Sequence, residues 1–136
     1  MKILLDTNVI LDALIGRPPW NEAAEQIILQ SADYKVEAFM TASTATDIYY
    51  IVNRSLKDSK QTRTLLARLL ELVHILPVNE QDCTLALHSP VADFGDAVQD
   101  EVASRHGMDY IITRNITDFE KGKVTALFPT DITDII

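Results

Sequence analysis

Lys2-Ile3-Leu4-Leu5-Asp6-Thr7-Asn8 opens the chain, and its reading decides the fold. The apolar run is too short for a helix of its own and stops at a carboxylate, the pattern of a buried strand that reaches solvent at one end. A helical pattern from about Asn8 to Leu14 follows at once. A strand that delivers directly into a helix is the first half of a β-α-β unit. Parallel sheets built from such units are covered by helices on both faces.

The same alternation continues outward. Gly16-Arg17-Pro18-Pro19 breaks the first helix. Asn21 begins or caps a second, with Ala24, Ile27, Ile28 and Ala32 on one face. Phe39 to Thr41 reads as a short strand and Ser43 to Arg54 as a helix. Leu65, Leu66, Leu69, Leu70 and Val73 mark a helix from Ser59 to Val73, and His74 to Val78 is strand-like, with Pro77 marking its end or a sheet edge. Helices are expected over Asn79–His88 and Asp96–His106, the latter closed by Gly107. Asp109 to Thr113 is a second well-marked buried strand, Thr125 to Phe128 the last, and Pro129 opens a short terminal helix. In such sheets ligands bind beyond the carboxyl ends of the strands. Asp6 follows the first strand directly and Asp118 lies in the loop leaving the Asp109–Thr113 strand, so both are expected at that edge.

Composition sets the frame. The 136 residues suit one domain, with 47% apolar and 24% charged residues. No apolar stretch approaches the roughly 20 residues that span a bilayer, and the early charges leave no secretory signal, so a cytoplasmic protein without a membrane partner is expected. The lone Cys83 cannot form an internal disulfide and reads as a small apolar residue. A net charge of −8 argues against nonspecific adhesion to nucleic acid. The Arg54–Arg68 segment is the exception: Arg54, Lys57, Lys60, Arg63 and Arg68 against Asp58 leave it locally +4. It is either a solvated helix face or a phosphate-tracking edge.

Four aspartates stand where helices meet apolar sequence: Asp6, Asp47, Asp96 and Asp118. Singly, Asp6 reads as a helix cap, Asp96 as a first-turn carboxylate and Asp118 as an Asx turn. Asp47 lies in mid-helix beside Ile48, Ile51 and Val52, where it has no cap to make and is expected near a buried face. If the fold gathers them, two unit charges about 4 Å apart cost roughly 4 kcal/mol at an effective dielectric near 20. Such a cluster binds protons with raised affinity or binds a hard divalent cation. Asp100, four residues after Asp96, is either part of such a site or exposed to solvent, the second being the simpler reading. Cys-x-x-Cys, His-Glu-x-x-His, glycine-rich phosphate loops and nucleophile elbows are all absent, leaving carboxylates as the catalytic chemistry.

The chain resembles the PIN domain family, and within it the VapC-like toxin ribonucleases of bacterial toxin–antitoxin modules. Four motifs carry the resemblance: Leu5-Asp6-Thr7-Asn8, Ser43-Thr44-Ala45-Thr46-Asp47-Ile48-Tyr49-Tyr50, Asp93-Phe94-Gly95-Asp96-Ala97-Val98-Gln99, and Ile112-Thr113-Arg114-Asn115 with Asp118-Phe119. It implies a three-layer α/β/α fold with a five-stranded parallel sheet, and Mg²⁺- or Mn²⁺-dependent cleavage of RNA. By position, Asp6, Asp96 and Asp118 fall on the family's metal-site acids, and Asp47 falls where the family more often has glutamate. Thr7, Asn8 and Thr113 match residues that support the site. Asp100 matches no acidic position of the family, and Gly95 stands where related sequences often carry an acid. Arg114 is expected either to meet a phosphate or to pair with Asp118 at the surface; Arg54, Lys57, Lys60 and Arg63 are the other candidate RNA contacts. A small antitoxin and a homodimeric partner are further implications, with apolar surface expected on the Asn21–Ala32 or Ser59–Val73 helices. Two other readings compete. One is a PIN-like domain of weakened catalysis that acts as an RNA- or protein-binding regulatory module, favoured by Asp47 and Gly95. The other is a phosphoacceptor receiver domain, which lacks its expected paired acids after the first strand and lysine after the last.

Overall fold

Ile3 and Leu5 pack into one apolar cluster and Leu4 into another, on opposite sides of the first strand. That alternation is the period-2 geometry of a strand buried on both faces. The computed structural model describes residues 1–136. Five strands, β1 (Lys2–Leu5), β2 (Glu37–Thr41), β3 (Val73–Leu76), β4 (Tyr110–Ile112) and β5 (Ala126–Leu127), form one sheet in the order β3-β2-β1-β4-β5. Every pairing is parallel. β2 alternates likewise, with Ala38 and Met40 on the first side and Phe39 against the second, as do Ile112 and Ile111 in β4.

Eight helices cover the two faces. α1 (Thr7–Ile15), α2 (Asn21–Ala32), α3 (Ala42–Leu56), α4 (Ser59–Leu69) and α8 (Pro129–Ile135) supply the first layer through residues such as Ile10, Ile27, Ile48, Leu69 and Ile132. α5 (Glu80–Leu87), α6 (Phe94–Arg105) and α7 (Ile116–Phe119) supply the other through Ala86, Val98, Val102 and Phe119. The architecture is three-layer α/β/α with an all-parallel sheet, and no helix is long and apolar enough to cross a membrane.

Element boundaries differ from the sequence reading where chain signals compete. Val73 belongs to β3, not to the preceding helix, which stops at Leu69. Its leucine periodicity continues by coincidence into a strand whose backbone pairs with β2. Asp96 does not open α6. Asp93 does, accepting a hydrogen bond from the Asp96 N–H at 3.0 Å. Gly107 follows the helix in the left-handed region (φ +69°), one residue beyond the cap at His106. Asp118 lies on the one-turn helix α7 rather than in open loop.

The chain leads from β1 outward through β2 to β3, then crosses back to β4 on the other side of β1, so the strand order reverses there. A crevice therefore opens at the carboxyl ends of β1 and β4, the place where open parallel sheets bind ligands. Asp6 is the residue after β1 and Thr113 the residue after β4.

Candidate metal centre

The crevice is an open cleft of about 460 Å³ lined by Asp6, Asp47, Asp93, Asp96 and Asp118, with Thr7, Asn8, Ser43, Thr44, Gln99 and Asn115 among them. Each arrives by a local rule. Asp6 caps α1, its Oδ1 accepting from the Thr7 N–H at 2.8 Å. Asp93 caps α6 and so places Asp96 in that helix's first turn, facing the same opening. Thr41 caps α3, accepting from the Thr44 N–H at 3.1 Å, which sets Ser43, Thr44 and Asp47 along the cleft wall. Carboxylates at helix N-termini are stabilised by the orphan N–H groups and the helix dipole, so a fold that aims several such termini at one point can gather negative charge.

Asp6 is the most constrained. It is buried, and its Oδ1 also accepts from Gln99 Nε2 at 3.1 Å while its Oδ2 accepts from Thr113 Oγ1 at 2.8 Å. A carboxylate has about four lone-pair directions; these contacts occupy three. Thr113 is itself held, accepting from the Asn115 N–H at 3.0 Å. On the opposite wall Thr7 Oγ1 lies 2.9 Å from Thr44 Oγ1, which accepts from Thr41 Oγ1, so hydroxyls tie α1 to α3.

Asp96 carries the electrostatic strain. Burial raises its carboxyl to about 6, and the charges of Asp6, Asp93 and Asp118 push the same way. Those carboxylates therefore share one field at the cleft. Asp47 lines the cleft from α3 but is not among the charges that act on Asp96.

The residues fit a hydrated hard dication. The carboxylates offer only oxygen, one of them is raised to about 6 by burial and by its neighbours' charges, and Asp6 retains a free lone-pair direction. No group of three acidic, histidine or cysteine side chains is arranged to hold a metal ion as the side chains stand. The open, oxygen-lined cleft leaves room for the several waters that a small hard dication keeps.

Several expectations need correction. Asp47 is exposed on α3, so no burial penalty demands a metal there. The buried face of α3 is carried by Thr44, Ile48 and Val52. Asp100 is neither solvent-exposed nor in the cleft. It is buried under the loop that leads to β5, accepting from the Lys123 N–H at 2.9 Å and the Val124 N–H at 3.0 Å. Arg114 pairs with neither Asp118 nor open solvent. Its Nε lies 2.8 Å from Oδ2 of the fully buried Asp12, and its Nη2 donates to Asp12 Oδ1 at 3.2 Å. Arg54, Lys57, Lys60 and Arg63 are exposed, and Arg63 stacks on Tyr49 at 5.8 Å. Arg54 stands seven residues after Asp47, about two helical turns along the same face of α3.

Three cleft residues escape a search for catalytic acids. Gln99 carries no charge, yet it lies three residues after Asp96 on one helix face, a spacing the sequence does display. Its Oε1 is buried without a partner, while its amide nitrogen holds Asp6. Asp93 is recognisable from its capping distance to Asp96, and Asn115 from its place two residues after Thr113. Asp12 gave no signal, because its partner lies 102 residues away.

The model of the PIN domain family matches residues 2–117. The chain belongs to the PIN domain family. No curated protein matches the chain. Among solved structures it is similar to VapBC2 from Rickettsia felis bound to a promoter DNA fragment, with TM-score 0.71 at 16% identity over 94% of this chain and 98% of that one. It is also similar to VapBC-1 from nontypeable Haemophilus influenzae, with TM-score 0.69 at 20% identity over 96% and 99%. Mycobacterium tuberculosis VapC20, a toxin that cleaves the sarcin-ricin loop, gives TM-score 0.61 at 16% identity over 80% and 86%. At these identities the likeness is one of fold.

Proposed function

We propose that this PIN domain is a divalent-metal-dependent endoribonuclease and the toxin of a toxin–antitoxin pair. The observation that carries the reading is the convergence of Asp6, Asp96 and Asp118 on one cleft at the sheet's switch point, with Asp96 raised to about 6 by burial and by its neighbours' charges. Membership of the PIN family supports it, as does the fold shared with toxins crystallised as VapBC complexes and with one that cleaves the sarcin-ricin loop.

Asp6, Asp96 and Asp118 are the residues that would hold Mg²⁺ or Mn²⁺. Such an ion, when bound, lowers the pKa of a coordinated water and neutralises charge that develops on a scissile phosphate. The protein's own contribution is orientation. The Thr7 N–H, Gln99 and Thr113 fix the Asp6 carboxylate so that one lone-pair direction is left free. Asp118 and Asp47, both exposed on the cleft walls, are placed to accept a proton from an attacking water. Arg54, further along α3, supplies positive charge on the path a phosphate backbone would follow.

The partner is a small antitoxin, and a homodimer is the expected assembly. Exposed Leu29 on α2 lines an apolar groove with Leu14, Leu65 and Leu72, a surface suited to burial against another chain. Cleavage of single-stranded RNA by purified protein with MnCl2, abolished by Asp6→Asn and by chelation, is the expected result. A second reading, a binding module of weakened catalysis, draws on the short, exposed Asp47 and on the lack of a ready three-carboxylate ligand set. Equal RNA cleavage by wild type and Asp6→Asn, or none by either, would favour it and sink the nuclease reading.

A further inference from the structure

Beside the acidic cleft lies a second cavity, of about 570 Å³, lined by Pro19, Trp20, Arg114, Asn115, Phe128 and Thr130. Asn115 lines both, so the two are continuous along one surface. We propose that this cavity is a stacking subsite for a nucleobase of single-stranded RNA whose phosphate lies in the carboxylate cleft. The inference rests on the nuclease reading and extends it to the substrate's bases.

Trp20 and Phe128 are 44% and 43% exposed, a large aromatic area left open next to a polar cleft. Both are held by their backbones at helix starts. The Trp20 carbonyl accepts from the Ala24 N–H at 3.3 Å, and the Phe128 carbonyl from the Asp131 N–H at 3.0 Å. The rings are therefore presented from fixed points instead of from a loose loop. The Arg114 guanidinium covers one face of the indole, its carbon 4.0 Å from the ring centroid. Asp12 holds that guanidinium from below. Arg114 thus acts through Trp20: the buried ion pair fixes the cation, and the cation fixes the ring.

The charge around the platform also suits RNA. Arg17 lies 3.8 Å from the same Asp12 carboxylate, so two guanidiniums face one carboxylate and leave one net positive charge. Arg114 is the one charged side chain among those lining this cavity, beside the acids of the cleft. An aromatic surface that accepts any base, an amide at the junction and one excess cation together describe a site for an unstacked nucleotide. An apolar peptide would have no use for the amide or the cation.

Trp20 is the only tryptophan of the chain, so its emission reports on this cavity alone. The test titrates a labelled single-stranded oligoribonucleotide into the wild-type protein in CaCl2, chosen to neutralise the cleft without rapid hydrolysis. Anisotropy of the label measures binding while tryptophan emission measures stacking. The expected result is quenching of Trp20 that saturates together with the anisotropy. Trp20→Ala should weaken binding by about 5- to 100-fold, the range for one stacked base, whereas Trp20→Phe should retain most of it. Phe128→Ala provides a second, independent loss. An RNA carrying one abasic position should bind with the quenching lost at a single register. Saturated binding with unchanged emission, or equal affinity of Trp20→Ala and wild type, overturns the subsite while leaving the nuclease reading intact. Neither binding nor cleavage of RNA by wild type overturns both.

Discussion

Replacing Asp96 by asparagine should stabilise the metal-free protein. Asp96 sits in the first turn of α6, where burial and the charges of Asp6, Asp93 and Asp118 raise its carboxyl from 3.8 to about 6. Unscreened, that difference is worth about 3 kcal/mol of destabilisation once the group is ionised. Water in an open cleft screens part of it, leaving about 1–2 kcal/mol. The sign fixes the pH window. Below 3.8 the carboxyl is protonated whether the chain is folded or not, and no stability is lost. Between 3.8 and about 6 the folded chain holds a proton that the unfolded chain has released, so stability falls through that window and is lost above it. Asparagine has no proton to lose and keeps the shape of the side chain. The difference in melting temperature between Asp96→Asn and wild type, measured in EDTA, should grow from near zero at about pH 4 to about 3–8 °C at about pH 7.

Adding MnCl2 at about 100 times the dissociation constant stabilises a binding-competent protein by about 2.7 kcal/mol. Wild type should gain this and Asp96→Asn should gain much less. The rank order of the two proteins therefore reverses between EDTA and Mn²⁺. A variant that melts at or below wild type in EDTA near neutral pH would refute the argument, because Asp96 would then be an ordinary solvated carboxylate.

Four further outcomes follow from named contacts. Thr113→Val removes the hydroxyl that holds Asp6 Oδ2 and should weaken Mn²⁺ binding by about 10- to 100-fold in calorimetry, with the fold intact by circular dichroism. Mn²⁺ affinity of wild type should fall as pH drops below about 6, by up to tenfold per pH unit, as a proton competes for Asp96; a flat profile would exclude Asp96 as a ligand. Asp12→Asn leaves Arg114 beside an uncharged partner and should cost about 3 kcal/mol in urea unfolding, unchanged by Mn²⁺ because Asp12 lies outside the cleft. Gly122→Ala would set a Cβ 2.6 Å from Asp100 Oδ1 and should destabilise by about 1–3 kcal/mol, whereas Gly122→Ala combined with Asp100→Ala should lose less than the sum of the two single changes.

The fold was legible because its signals are local. A four-residue apolar run that ends in Asp6, followed at once by a helix, states a buried parallel strand with little ambiguity. Boundaries were less legible where one period ran into another. The leucines of α4 keep helical spacing as far as Val73, but Val73 is drawn into β3 by its pairing with Ala38, a contact 35 residues distant in sequence. No window around Val73 contains that information. The helix start at Asp93 was readable, because an acid three residues before another is a capping distance; the phenylalanine and glycine between them concealed it.

For the candidate site, the sequence picks out aspartates without telling cleft from core. Asp100 and Asp96 share a helix and differ by one turn, yet Asp96 faces Asp6 while Asp100 caps the backbone of residues 123 and 124. Asp6 caps α1 and Asp12 lies within the same helix, yet Asp12 is fully buried against an arginine. What separates these aspartates is the identity of the group each faces. Asp100, met by backbone N–H groups, and Asp12, met by a guanidinium, are satisfied by the protein away from the cleft. Asp96 meets other carboxylates, and a charge surrounded by its own kind can be relieved only from outside, by a proton or by a cation. That distinction picks Asp96 out of a chain with 20 acidic residues, and it predicts that the proton and the metal ion compete for the same side chain.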